Sequence, residues 1–425
     1  MKIDSNRVAM GKVCLMYFFY NFFWSLSSGS LFAVWLNDRV GIDGSQIGVL
    51  FGLQTGIAVL FKPAMGYMMD KLGLRKHLLY FISILSILIG PFYIYVYGPL
   101  LSQESTFAAG IIVGAVYLGM LFQAGSGVIA SYSDRFARCH SNDFGLVNGF
   151  GIAAWGVSAI LAGFLYNIDP DLIFVACSVS AVIMLIFALS LKVKHLDDVD
   201  NDVLSAEKIQ REDVLKLLRN PKMWAFMTYA GTISVVFWTS MTQFTRYFIS
   251  FFPSQDEGIT FSSNMDGLTA VFLFIFSACV PFIIKKIGAK GSLILTAFGI
   301  TACLLTIGYA GLGEKSLVLA VIAKILFGIV NPLLIVSTFA YIAEQFDKKV
   351  NSFTYMFGFQ VVNNIMTAIA SPIMGNMYDT HGFPMSYIYF GLFSLCATIL
   401  AFFTLSSKLN VEMKEEILHQ ETTTA

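Results

Sequence analysis

Long apolar runs separated by short polar turns repeat twelve times along the chain, near residues 13–35, 46–69, 78–101, 107–132, 144–166, 171–191, 223–252, 264–284, 291–312, 317–342, 352–378 and 385–407. A hydrocarbon core about 30 Å thick needs about 20 apolar residues per helix, and each run meets that length. No even series of alternating ten-residue strands occurs, so the pattern predicts helices and not a barrel. Run 317–342 is almost wholly apolar but contains Lys324. A charge at membrane depth costs about 2.5–3.5 kcal/mol on insertion scales, so the neighbours of Lys324 bear on function.

The polar turns set an orientation. Those after the second, fourth, eighth and tenth runs hold Lys71, Arg75 and Lys76; Arg135 and Arg138; Lys285, Lys286 and Lys290; and Lys348 and Lys349. The opposite turns hold little basic charge beyond Arg39 and Lys315, while Asp38, Asp43, Asp169, Asp171, Asp256, Glu257 and Asp379 collect there. By the positive-inside rule both termini are expected to be cytoplasmic. The N-terminus runs into the first apolar stretch without a small-residue cleavage site, so a retained helix is expected and not a signal peptide.

One long polar segment, 192–222, divides the runs into two groups of six. From Ser205 it reads as a short amphipathic helix with apolar Ile209, Val214, Leu217 and Leu218, a linker or a partner-binding surface. The expected organisation is a bundle over 1–192, a linker over 193–222, a second bundle over 223–407 and a cytoplasmic tail over 408–425. The groups look like repeats: the turn from Gly66 to Lys76 matches that from Pro281 to Gly291, and Tyr132–Phe136 matches Ile342–Phe346. Repeated halves suit alternating access by rocking.

Composition agrees with a polytopic membrane protein: 56% of residues are hydrophobic and 13% charged, against about 25% charged in soluble domains. A formal net charge of zero offers nothing to nucleic acid. Cys14, Cys139, Cys177, Cys279, Cys303 and Cys396 are scattered singly, as small packing residues, with no metal-ligand spacing and no disulfide framework. No nucleophile–base pair lies within an apolar run, so an enzyme is the least expected class and no cofactor is implied.

Candidate chemistry is sparse. Asp70, Lys71, Gly73, Arg75 and Lys76 form a tight charged turn at a helix end, suited to a gate that pairs and releases or to plain anchoring. Neutral amides dominate within the runs: Asn21, Gln54, Gln123, Asn148, Gln243, Asn331, Gln360, Asn363 and Asn364. Amides beside an aromatic platform can hold a sugar, or can glue helices together. Asn148 is two turns before Trp155 and on its face. Asp266, in the first turns of run 264–284, is a proton-carrying candidate or a helix-start carboxylate. Lys62 can snorkel, and Arg246 lies near water.

The motif from Gly66 to Lys76 resembles the signature loop of the major facilitator superfamily. More narrowly, the chain resembles the lactose permease family of oligosaccharide/proton symporters. The resemblance rests on Ala33-Val-Trp35-Leu, Asp70–Lys76, Gly90-Pro-Phe, Gly98-Pro-Leu-Leu101, Tyr117-Leu-Gly119, Ala124-Gly125, Asn220–Trp224, Gln243-Phe and Gly375–Asp379. Tyr95-Val-Tyr97, Pro99-Leu-Leu and Gly358-Phe-Gln360 look more like the sucrose permease branch. The resemblance implies a major facilitator fold and a sugar stacked on Trp155. It also implies charged partners that are absent here. The family's carboxylate and arginine positions read Ala130 and Asn148; its eighth-helix glutamate reads Ala270 and its ninth-helix arginine Cys303. Its tenth-helix histidine and glutamate read Phe327 and Val330, and its seventh-helix aspartates Trp238 and Met241. Lys324 and Trp155 remain.

The expectation is an all-α inner-membrane transporter with two six-helix repeats, importing a di- or trisaccharide with protons as a monomer. Trp155, Asn148, Lys324, Gln243 and Asn363 are the substrate-binding candidates. Symport needs a group that changes protonation with substrate binding, and the missing acids leave an uncoupled facilitator open. Lys324 leaves open a carrier of acidic sugars such as uronides. A transporter-like sensor is the reading from another class.

Overall fold

The computed structural model describes residues 5–72, 74–140, 144–191 and 211–407, and among these every regular element is helical. The main helices are α1 (Ser5–Ser28), α2 (Gly44–Leu72), α3 (Phe107–Leu118), α4 (Gly125–Cys139), α5 (Phe144–Ile168) and α6 (Leu172–Ser190). Further along come α7 (Arg211–Arg219), α8 (Gln255–Ala310), α9 (Leu317–Gln345) and α10 (Val362–Thr404). Among the described residues seven helices are long and apolar enough to cross a membrane, and the bent pair His77–Ile87 and Ile89–Ser102 makes up to eight.

Two of the long helices are broken by glycine. Gly288 in α8 (φ 74°, ψ 168°) and Gly382 in α10 (φ 72°, ψ 164°) each take a conformation that is essentially closed to residues with a Cβ. The turn motif read around Lys285–Gly288 coincides with this break in α8.

Several helices also carry π turns, at Leu36–Val40, Phe92–Tyr97, Gly119–Ala124, Ala230–Ser234 and Thr354–Val361. Such bulges shift the register of the side chains beyond them and are frequent at functional sites.

The start of α8 corrects the sequence reading. The run was expected from 264, yet the helix begins at Gln255 and takes Asp256 and Glu257 into its first turn. Acidic residues there complement the positive end of the helix dipole, so they extend the helix instead of ending it. The start of the linker helix expected at Ser205–Lys208 lies outside the described residues; α7 is its described part.

The chain divides into two compact units. The first comprises Met1–Ser205, Ser240–Phe274 and Ala368–Gly382; the second comprises Ala206–Thr239, Ile275–Thr367 and Phe383–Ala425. The first is centred on aromatic packing: Tyr93 lies 4.4 Å from Phe174 between ring centres, and Trp35 lies 4.9 Å from Phe174 edge-on. The Tyr93 hydroxyl donates to the Ser27 carbonyl at 3.2 Å, which satisfies the polar end of a fully buried ring. In the second unit Phe226 stacks on Tyr341 and on Phe359, and Asp213 of α7 pairs with Lys349 at 2.9 Å.

Candidate functional site

In the first unit, α1 and α5 present matched rows of side chains. Tyr17, Asn21 and Trp24 recur at helical spacing on α1; Asn148, Gly151 and Trp155 do so on α5. Gly151 makes the approach possible, since a Cβ there would lie 2.6 Å from the Tyr17 ring and 3.1 Å from Asn21 Nδ2. Asn21 is buried and donates to the Tyr17 carbonyl at 2.8 Å. Trp155 is 38% exposed and Asn148 is exposed, so the ring and the amide both have open surface.

Trp24 is half-buried, and its ring meets that of Trp155 edge-on at 5.8 Å with a 67° angle between planes. Phe122 from the Gly119–Ala124 π turn lies parallel to Trp24 within 10° at 6.4 Å. Sequence reasoning missed Trp24. Its seven-residue spacing from Tyr17 was visible, but which helix it faced was not. Gln54 on α2 is buried, and its Oε1 has no hydrogen-bond partner among the described residues.

The other first-unit candidates sit elsewhere. Gln243 is 1% exposed and engaged at both ends: Nε2 donates to the Gly44 carbonyl at 3.0 Å, and Oε1 accepts from Arg246 at 2.6 Å. Asp266 is half-buried and eleven residues into α8, about 16 Å along its axis, not in its first turns. The residue after it, Gly267, packs tightly on Ile160 of α5. This places Asp266 beside the helix that carries Trp155.

Lys324 and Asn363 belong to the second unit. Lys324 is 2% exposed, two turns into α9, and its neighbour Phe327 packs on Phe237 at 5.3 Å. Asn363 accepts from the Ser234 hydroxyl at 3.2 Å, while Asn364 Nδ2 is buried with no hydrogen-bond partner among the described residues. Trp238, at a position where the resemblance calls for an aspartate, is 37% exposed.

In the charged turn, Gly73 and the Asp70 side chain lie outside the described residues. Lys76 Nζ donates to the carbonyls of Ala188 (3.1 Å), Leu189 (3.2 Å) and Leu191 (2.8 Å), and Lys12 Nζ to that of Ser190 (3.1 Å). Two lysines thus take the last carbonyls of α6, which have no intrahelical donors. Arg135 reaches the Met69 carbonyl at 3.3 Å; Lys71 and Arg75 are exposed. Among the described residues no group of three or more His, Cys, Asp and Glu side chains can hold a metal.

Residues 3–418 match the family model for the LacY proton/sugar symporter. The chain belongs to the LacY proton/sugar symporter family. Within that family it is 33% identical over 396 residues to the raffinose permease of Escherichia coli, covering 92% of each chain. It is 31% identical over 399 residues to the melibiose permease of Enterobacter cloacae, covering 93% of this chain and 92% of the relative. Among solved structures it is similar to the nucleoside transporter NupG (D323A mutant), with a TM-score of 0.78, 14% identity, and 94% and 100% of the two chains covered. The D-xylose-proton symporter gives a TM-score of 0.67 at 14% identity, with 93% and 97% covered. These structural likenesses establish the major facilitator fold. The symporter family thus accounts for a membrane transport protein with sugar-permease relatives.

Proposed function

We propose that the protein imports an oligosaccharide of two or three sugar units across the bacterial inner membrane by alternating access, coupled to protons. The observation that carries this reading is the exposure of both Trp155 and Asn148, two turns apart on α5, in a chain whose relatives are sugar permeases. An indole face takes the C–H face of a pyranose, and amides take its hydroxyls. Gln243, Lys324 and Asn363 remain substrate-binding candidates, and Asp266 is the proton-carrying candidate. Lys71, Gly73, Arg75 and Lys76, with Asp70, serve the cytoplasmic side.

The proposed topology has twelve crossings. The seven long helices become nine when α8 and Thr354–Thr404 are each divided at their glycine, ten with the bent pair, and twelve with Ser5–Trp35 and Pro221–Ile249. Both termini are then cytoplasmic, with a six-helix bundle on either side of the 193–222 linker, and the protein acts as a monomer. An uncoupled facilitator is the second reading, favoured by Ala270, Phe327 and Val330 at the family's titrating positions.

Uptake of a labelled saccharide panel (melibiose, raffinose, lactose, sucrose and a uronide) with and without protonophore tests the proposal. Accumulation that collapses with protonophore supports symport. Equilibration without accumulation replaces it with the facilitator, and no flux of any saccharide removes both.

A further inference from the structure

We propose that Trp24 is a second substrate-contacting residue, forming with Trp155 an aromatic corner that fixes the rotation of a sugar ring in the site. This rests on the reading that Trp155 is the sugar platform. The corner joins two indoles whose planes meet at 67° with centres 5.8 Å apart. Neither ring is sealed, for Trp155 is 38% exposed and Trp24 half-buried.

A single stacked face holds a pyranose against one plane but leaves it free to turn about the normal to that plane. The pyranose rim, including its exocyclic methylene, is also partly apolar. A second wall inclined to the first takes that rim and removes the rotation. Phe122 makes Trp24 fit for this: it lies parallel to the indole within 10° at 6.4 Å and is itself fully buried. The wall is therefore preorganised, and little side-chain entropy is lost when a ligand arrives.

The surrounding polar groups make such a wall necessary. At Ala130 and Asn148 there is no charged side chain to grip hydroxyls. Asn21 already donates one N–H to the Tyr17 carbonyl. Around Trp155, orientation then comes more from shape than from charge-assisted hydrogen bonds, which are about twice as strong as neutral ones.

The test uses the purified full-length protein and the same saccharide panel, read by intrinsic tryptophan emission and by equilibrium binding. Sugar should change the emission of the Trp155→Phe protein, and that change should vanish when Trp24→Phe is added, since the other three tryptophans are common to both. Trp24→Ala should raise Kd about five- to tenfold and Trp24→Tyr about twofold or less. An emission change that survives in the double variant overturns the proposal. So does unchanged affinity in Trp24→Ala while Trp155→Ala loses binding. If Trp24→Ala fails to fold, the Trp24→Tyr affinity and the emission pair decide. A Trp155→Ala protein that binds as well as the wild type overturns the platform itself, and Trp24 with it.

Discussion

The carboxylate of Asp379 sits on the first turn of α2, 335 residues away in sequence from Gly44. Its Oδ1 accepts the Gly44 N–H at 3.1 Å and its Oδ2 the Ser45 N–H at 2.6 Å. The Gly44 carbonyl in turn accepts from Gln243, which Arg246 holds from its other end. Gly375, one turn before Asp379, is a glycine because a Cβ would stand 2.2 Å from the Gly44 oxygen. Negative charge at a helix N-terminus contributes about 0.3–1 kcal/mol, and up to about 2 kcal/mol when partly buried.

Asp379→Asn keeps one acceptor and loses the charge, so it should speed hydrogen–deuterium exchange at the 43–48 amides about threefold to tenfold. Asp379→Ala should do more. Equal protection in all three proteins would show that the contact holds nothing.

Lys76 is expected to matter for stability as well as for any gating. Lys76→Gln leaves carbonyls at the end of α6 with fewer donors, a cost of about 1–3 kcal/mol, seen as a lower melting temperature in detergent. Lys76→Arg should recover part of the loss. A transport defect with unchanged melting would assign the residue to gating alone.

Gly288→Ala should destabilise by about 1–3 kcal/mol through its φ of 74°, although open space surrounds the position. Gly66→Ala, also in open space but inside α2, is the control and should be neutral or slightly stabilising. Similar melting temperatures for the two would refute the backbone argument.

Asp266→Asn separates the coupling readings. With Asp266 as the proton carrier, the variant should lose accumulation more than tenfold while still exchanging labelled for unlabelled sugar. Undiminished accumulation would pass the role to another group.

For acidic sugars the decisive residue is Lys324. If it meets a substrate carboxylate, Lys324→Gln should cut uronide uptake far more than uptake of neutral saccharides. Parallel loss of both would instead mark Lys324 as part of the α9 packing.

What the sequence by itself determined was whatever depends on neighbours along the chain. Apolar length gives helices, Gly288 gives a turn, and the motifs around Asp70–Lys76 give the family. The placement of Asp266 was misread for a local reason as well: Asp256 and Glu257 look like a loop by hydropathy but stabilise the first turn of α8.

Only the tertiary structure decided which helix faces which. In a chain where nearly every helix is apolar all round, periodicity no longer separates a buried face from a lipid-facing one. Trp24 beside Trp155, Lys76 on the end of α6, and Asp379 on the start of α2 all join segments with no pattern in common. Each is settled by close packing and by the need of buried polar groups for partners, conditions that exist only once the chain is folded.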